Sequence, residues 1–217
     1  LTKEIVKKNP KKFLAVEIDY TLKNNLNIFF VKKNHKLLFS DALKIDETNF
    51  FNQDAIIIGN LPYNISLKLL IKWIYQLGYK RWFEQMFLMF QKEVAERIIS
   101  KENSKKFGRI TLLASAFFKV NKVLDVNKEN FFPIPKVDSC VLHFQTLKKF
   151  YFNNENIFKL EYLTKNLFSS RRKKIKNKIE SMFSPEIIEK YELHKYYNLR
   201  AENLNSEIIF FLAKLLK

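Results

Sequence analysis

The run Ala55-Ile56-Ile57-Ile58-Gly59-Asn60-Leu61-Pro62-Tyr63-Asn64-Ile65-Ser66 decides how the rest of the chain is read. Four apolar residues, three of them β-branched, predict a short buried strand over 55–58, and Gly59 ends it. From Ser66, apolar side chains at 67, 69, 70, 71, 73, 74 and 77 predict a helix packed on more than one side. Strand, tight turn and helix form the repeating unit of α/β sheets. The turn Asn60-Leu61-Pro62-Tyr63 then falls at a strand's carboxyl end, where open α/β sheets bind ligands.

The alternation continues on both sides. Upstream, residues 1–8 read as helix, 13–18 (FLAVEI) as a buried strand, and 36–39 as a second short strand. Asp19 caps a helix expected to run to about residue 31. Downstream, strands are predicted over 83–90, 120–126 and 137–144, with helices over 91–100 and 109–118. An Asn- and Lys-rich stretch at 148–156 marks a change of character. Beyond it only helical periods remain, over 158–169, 171–183, 185–191 and 206–216, and Ser184-Pro185 supplies an N-cap followed by proline. The expected architecture is a Rossmann-like α/β sheet in a domain of residues 1–150, followed by a small all-helical domain of residues 151–217.

Three polar groups stand in order at successive strand ends: Glu17, Asp41 and Asn60. A carboxylate in that position can accept hydrogen bonds from ribose hydroxyls, and one on the next strand can accept from an adenine amino group. Singly, such acids are most often just solvated; three in succession point to a nucleotide-like ligand. The Asn60-Leu61-Pro62-Tyr63 turn is sharper. An exocyclic adenine nitrogen is a poor nucleophile because its lone pair is delocalised into the ring. The Asn60 side-chain oxygen and the Leu61 carbonyl can accept from that amino group and draw it toward tetrahedral geometry. Pro62 stiffens the turn, and Tyr63 offers a flat face for a base taken out of its stack. The bland alternative is an ordinary Asn-x-Pro turn with a packed tyrosine.

Composition narrows the class. The 217 residues carry 39 Lys+Arg against 22 Asp+Glu, a net charge of +17, which suits a polyanionic partner. Most of these cations are lysines among abundant Asn, Ile and Phe, a bias that nucleotide composition alone can produce. The densest run, Arg171-Arg172-Lys173-Lys174-Ile175-Lys176-Asn177-Lys178, is expected to be helical, with Leu167, Phe168, Ile175 and Ile179 inward and its cations outward. Cys140 is the lone cysteine, so no disulfide framework forms. It reads as a buried, inert thiol in a cytoplasmic protein. The three histidines lie far apart, no metal site is expected, and no apolar run reaches the length of a membrane span.

The segments VEID (16–19), SDAL (40–43), GNLPYNIS (59–66), MFQKEVAERI (89–98), FGRITLLAS (107–115) and FFPIPKVDS (131–139) together resemble the KsgA-type small-subunit rRNA adenine dimethyltransferases of the KsgA/Erm superfamily. LFSSRRKKIKNKI (167–179) and LRAENLNSEIIFFLAKLL (199–216) extend the resemblance over nearly the whole chain. It implies an enzyme that transfers methyl groups from S-adenosylmethionine to adjacent adenines in a small-subunit rRNA hairpin during ribosome maturation. By the same resemblance Glu17, with Ile18 beside it, binds the cofactor ribose, Asp41 with Ala42 binds its adenine, and Asn60 bridges cofactor and target. Asn60, Leu61, Pro62 and Tyr63 form the catalytic loop. Tyr63 stacks on the target base, and Phe131 closes the other side, with Phe132 the runner-up for that second face. Lys92, Arg97, Arg109 and Lys136 are implied as phosphate contacts near the catalytic face. Arg171, Arg172, Lys173, Lys174, Lys176 and Lys178 are implied as further RNA contacts. The expected partner is small-subunit rRNA within an immature subunit, bound by a monomer away from any membrane.

One departure stands out. The family's glycine-rich cofactor loop is missing from a chain whose only glycines are Gly59, Gly78 and Gly108. Leu1-Thr2-Lys3-Glu4-Ile5 matches the helix that follows that loop, so the chain is expected to be an N-terminally truncated piece of a longer protein. The Erm-type large-subunit enzymes share the tetrad and the Phe-Pro motif and remain an alternative. So does a non-catalytic RNA-binding assembly factor.

Overall fold

A computed structural model describes residues 1–216. They fall into two compact units, residues 1–52 and residues 53 onward; the boundary expected near residue 150 lies inside the second.

The first unit holds α1 (Thr2–Lys7), β1 (Phe13–Glu17), α2 (Lys23–Asn27) and β2 (His35–Phe39). The two strands pair in parallel, Phe13 opposite His35 and Glu17 opposite Phe39. Asp19 caps as expected: one carboxylate oxygen accepts from the Thr21 amide at 2.9 Å and its hydroxyl at 2.6 Å. It caps a 3-10 turn, Tyr20–Leu22, and α2 then stops at Asn27 rather than near 31. Asn24, Asn25 and Asn27 explain the early stop, since short amides compete for the backbone and are weak helix formers. Phe13 stacks on Phe30 with ring centroids 5.3 Å apart and meets the buried His35 edge-on. The residues of β1 are only half-buried, where the sequence predicts a buried strand.

The second unit is built on a four-stranded sheet. Its elements are β3 (Ala55–Asn60), α3 (Tyr63–Tyr79), β4 (Phe83–Gln91), α4 (Lys92–Ile98), α5 (Arg109–Ser115), β5 (Phe118–Val126) and β6 (Ser139–Thr146). The helices α6 (Ile157–Leu167), α7 (Lys176–Met182), α8 (Pro185–Lys190) and α9 (Ser206–Leu215) follow. Strand order is β3-β4-β6-β5; β3 and β4 are parallel, joined by the crossover helix α3, and β6 runs antiparallel to both neighbours. The core is apolar and aromatic: Leu70, Ile74, Phe83, Met86, Leu88, Phe90, Leu142 and Phe144 are fully buried. By contrast β3, at the sheet's edge, alternates: Ile56 and Ile58 of the expected buried strand are exposed on one face, while Ala55 and Ile57 are half-buried on the other.

The helical tail joins this unit through specific bonds. The Tyr75 hydroxyl of α3 donates to Glu161 of α6, and the Gly78 carbonyl accepts from the Asn154 amide at 3.1 Å. Within the tail, α6 packs on α9, and Leu160 and Leu163 of α6 and Ile209 and Leu212 of α9 are all buried. Cys140 is buried on β6, and burial, with Asp125 nearby, pushes its thiol up to about 11. That keeps it a thiol at neutral pH, as its apolar neighbours suggest.

The basic run departs from expectation. Residues 168–173 form turns, Lys174 bridges Arg200 in an isolated β-bridge, and helix begins only at Lys176. The Ile175 amide donates to the Leu199 carbonyl at 2.9 Å, which removes it from any helical bond to residue 171. Ile175 and Ile179 are buried as expected, so the hydrophobic anchor holds while the backbone path changes.

Among the described residues no helix is long and apolar enough to cross a membrane. Leu70 has no exposed surface. Leu70→Ala is therefore expected to cost about 3 kcal/mol of unfolding free energy, measured by urea denaturation, because the fixed sheet beneath α3 cannot close the cavity.

Candidate active site

The strand directions bring four connections to one end of the second sheet. The parallel strands β3 and β4 finish there at Asn60 and Gln91, Asn60 being paired with Met89. Antiparallel β6 starts there at Ser139, opposite Gln91, and β5 ends there at Val126, opposite Ser139. The Asn60-Leu61-Pro62-Tyr63 turn, the Gln91-Lys92 junction, the 3-10 turn Lys128–Asn130 and the loop of residues 131–138 thus share one rim.

Gly59 sets the shape of the first connection. A Cβ there would lie 2.7 Å from Leu61 Cδ2 and 3.1 Å from its Cγ, so the missing side chain lets Leu61 fold back over the strand. Pro62, with φ −55° and ψ 131°, occupies the N-cap position of α3, and its carbonyl accepts from the Ile65 and Ser66 amides at 3.1 Å. The helix begins at Tyr63, three residues before the expected start, so Tyr63 sits on a regular element rather than in a loop. Its hydroxyl lies 2.6 Å from the Oγ of Ser139, a residue with no exposed surface.

That bond ties the tetrad to the Phe-Pro loop, whose base is pinned twice more through Asp138. The Asp138 carbonyl accepts from the Lys92 amide at 2.9 Å, and its Oδ1 accepts from the Lys128 amide at 3.1 Å. At the tip, Phe131 is half-buried, whereas Phe132 is fully exposed. A cleft of about 370 Å³ lies alongside, lined by Lys92, Lys128, Lys136, Glu93, Glu96 and Asp138. The sequence suggested Lys92 and Lys136 for this face; Lys128, Asp138 and Ser139 carried no assigned role. Only the VDS spacing after Pro135 and Lys136 could have signalled Asp138 and Ser139.

The other cations divide into two sets. Arg97 and Arg109 are exposed at the end of α4 and the start of α5, which Thr111 joins by donating to the Arg97 carbonyl at 2.6 Å. In the basic run, Arg171 is committed internally, donating to the Phe107 carbonyl at 2.5 Å and to Glu202 at 3.3 Å. The Lys178 ammonium donates to the Leu167 carbonyl at 2.6 Å, and burial, with Lys173 nearby, lowers its pKa. Lys174 reaches Asn198 at 3.0 Å, and Lys176 lies 3.9 Å from Glu180. Arg172 and Lys173 stay exposed, on a second cleft of about 370 Å³ formed by residues 169–173.

In the first unit, Glu17 and Asp41 follow adjacent parallel strands, and the Ser40 amide donates to the Glu17 carbonyl at 2.9 Å. Glu17 Oε1 accepts from the Ile18 and Asp19 amides at 2.7 and 2.9 Å. Asp41 Oδ1 accepts from the Leu43 amide at 2.9 Å. Each carboxylate is oriented by its own backbone through one oxygen.

Parallel strands with polar groups at their carboxyl ends, and an Asn-Leu-Pro-Tyr turn opening a helix, define a Rossmann-like methyltransferase. Solved structures agree. A dimethyladenosine transferase from Plasmodium falciparum superposes with a TM-score of 0.78 at 25% identity, covering 97% of this chain and 84% of its own. The 23S rRNA methyltransferase ErmE shares the fold, with a TM-score of 0.67 at 18% identity over 98% of this chain and 86% of its own. The family model described as ribosomal RNA adenine dimethylase matches residues 1–215. The ribosomal RNA small subunit methyltransferase A of Pelagibacter ubique is 40% identical over 219 residues, 99% of this chain and 81% of that protein. Its namesake from Ehrlichia ruminantium is 38% identical, over 94% and 78%. The chain belongs to the ribosomal RNA adenine dimethylase family.

The Tyr63–Ser139 bond is expected to matter for stability as well as shape. Tyr63→Phe leaves a buried Ser139 hydroxyl without its partner and is expected to cost about 1–2 kcal/mol. The double variant with Ser139→Ala is expected to recover part of that loss, as a double-mutant cycle on urea unfolding reads directly.

Proposed function

We propose that the native protein transfers methyl groups from S-adenosylmethionine to the N6 atoms of adjacent adenines in small-subunit rRNA during ribosome assembly in the cytoplasm. The carrying observation is the rim itself: Asn60, Leu61 and Tyr63 lie at the carboxyl ends of parallel strands, tied through Ser139 to the loop bearing Phe131 and Phe132.

The target base stacks between Tyr63 and Phe131. The Asn60 side-chain oxygen and the Leu61 carbonyl accept hydrogen bonds from its N6 amino group, which localises the nitrogen lone pair. S-adenosylmethionine supplies an electrophilic methyl group on a sulfonium. Asn60 and Leu61 would hold the N6 nitrogen facing that methyl group, which the cofactor would supply when bound, and the proton displaced from the nitrogen would pass to water. The Tyr63 hydroxyl is engaged with Ser139, so the ring serves by its face rather than as a base. The chemistry of the donors in the first unit suits the cofactor's adenosine part. Glu17 and Asp41 each accept backbone amides through one carboxylate oxygen, and the second oxygen of each accepts from ribose hydroxyls and from the adenine amino group respectively.

Among the cations, we assign phosphate contacts to Lys92, Arg97, Arg109 and Lys136, and in the basic run chiefly to Arg172 and Lys173. The segment beyond residue 150 carries this second RNA-contacting surface on the turn before α7, on a chain that acts as a monomer. The run's other members hold the fold as well.

Asn60→Ala is expected to lower methyl transfer to undermethylated small subunits by about 10²- to 10³-fold, the loss typical of one pre-oriented polar group. Full activity in that variant would sink the mechanism. The double change Arg172→Ala with Lys173→Ala is expected to reduce the slope of log affinity against log salt by about 2 and to leave unfolding unchanged. An unaltered slope removes these two residues from the RNA contact.

A further inference from the structure

Phe132 is fully exposed, and Ile134 two residues on is 62% exposed. Single apolar side chains on a surface need no explanation, but the setting of this one is unusual. Three hydrogen bonds pin the base of its loop: Tyr63 to Ser139, Lys92 to the Asp138 carbonyl, and Lys128 to the Asp138 carboxylate. The ring is therefore held out at the rim that carries Asn60 and Tyr63, one residue beyond the half-buried Phe131. The cleft below the loop is lined by three lysines, Lys92, Lys128 and Lys136. Its acids are partly committed elsewhere, Glu96 to Lys106 and Asp138 to the Lys128 amide. An exposed flat ring on the same loop as Lys136, which lines a cleft with Lys92 and Lys128, combines the two features that single-stranded nucleic acid recognises: an aromatic face on which bases stack and cations for the phosphates.

Extracting one base from a stack leaves its neighbour with an uncovered face. We propose that Phe132 covers that face: it is a second stacking platform, taking the base adjacent to the target adenine, while Lys128 and Lys136 hold the phosphates that flank the pair. Phe131 and Phe132 then divide the work, the half-buried ring walling the target pocket and the exposed ring holding the neighbour. This rests on the adenine dimethyltransferase reading, because it is the adjacency of two adenines that supplies the neighbour. The arrangement keeps the second adenine at the rim while the first is modified, so the RNA need only shift by one nucleotide between the two targets.

The test is a double-mutant cycle between protein and RNA. The native protein is titrated with a small-subunit rRNA hairpin in which one adenine is the target and the neighbouring position is either adenine or abasic. For the wild type, the abasic neighbour is expected to weaken binding about tenfold, the scale of one lost stack. Phe132→Ala is expected to weaken binding to the intact hairpin by about the same factor and to show no further loss with the abasic neighbour. Phe132→Trp is expected to restore affinity for the intact hairpin, and none of these exposed changes alters the unfolding midpoint. The proposal is overturned if Phe132→Ala binds the intact hairpin like the wild type, or if the two losses multiply. It is equally overturned if coupling appears only when the target adenine itself is made abasic, since Phe132 would then belong to the target pocket. A wild-type protein that neither binds nor methylates the hairpin removes the dimethyltransferase reading, and this inference with it.

Discussion

The hydrogen bond between the Tyr63 hydroxyl and the buried Ser139 side chain joins two segments 76 residues apart at 2.6 Å. Tyr63 begins the helix that crosses over the sheet, and Ser139 begins the antiparallel strand that reinforces β4. Without such a tie, the tetrad and the Phe-Pro loop would be two independent surface turns. Surface turns at the ends of strands are ordinarily the mobile parts of a fold. Here the bond anchors the tyrosine ring at its hydroxyl and holds the loop's base to the buried Ser139. Asp138 works alongside it, since one residue receives both the first amide of α4 and the amide of Lys128. Three loops are thereby referred to a single buried point.

The cations of the basic run fall into two groups. Arg171 and Lys174 fasten the irregular segment before α7 to the Phe107 carbonyl and to Asn198, and Lys178 of α7 bonds to the Leu167 carbonyl at the end of α6. Such bonds keep a lysine-rich segment folded despite its self-repulsion, because each ammonium is satisfied by a fixed acceptor rather than by water. Arg172 and Lys173, between the anchored residues, are exposed on a turn whose neighbours Arg171 and Lys174 are bonded to the rest of the chain. A cation held in place loses less side-chain freedom on meeting a phosphate than one on a flexible arm. A charge run is therefore informative only once its internally committed members are subtracted.

How much was legible in the sequence depends on the range of the interactions. The β3 strand and the following helix are set locally, by β-branched residues and by the apolar spacing from 67 to 77, and both form, although the strand runs through Gly59 to Asn60 and the helix starts at Tyr63 rather than Ser66. The strand-end order of Glu17, Asp41 and Asn60 was equally readable, because period and punctuation place strand ends. The path of residues 171–175 was not. Its partners, the Phe107 and Leu199 carbonyls and Glu202, lie 24 to 64 residues away, and no local pattern announces them. Helix α2 fell short because three asparagines outweighed the apolar pattern. The half-buried β1 and the exposed Ile56 and Ile58 follow from sheet position, an edge or a two-stranded pair, which composition does not encode.

The pairing of Phe131 with Phe132 shows what coordinates add to a motif. In sequence the two rings are equivalent, and either can be aligned with one aromatic wall. In the folded chain they differ, although they are consecutive: Phe131 is half-buried and Phe132 fully exposed. Consecutive residues in an extended segment point to opposite sides, so once Phe131 turns toward the protein, Phe132 is forced outward. A base-handling site benefits from that alternation. In the function we propose, Phe131 closes the target pocket opposite Tyr63, and Phe132, pointing away on the same pinned backbone, takes the neighbouring base.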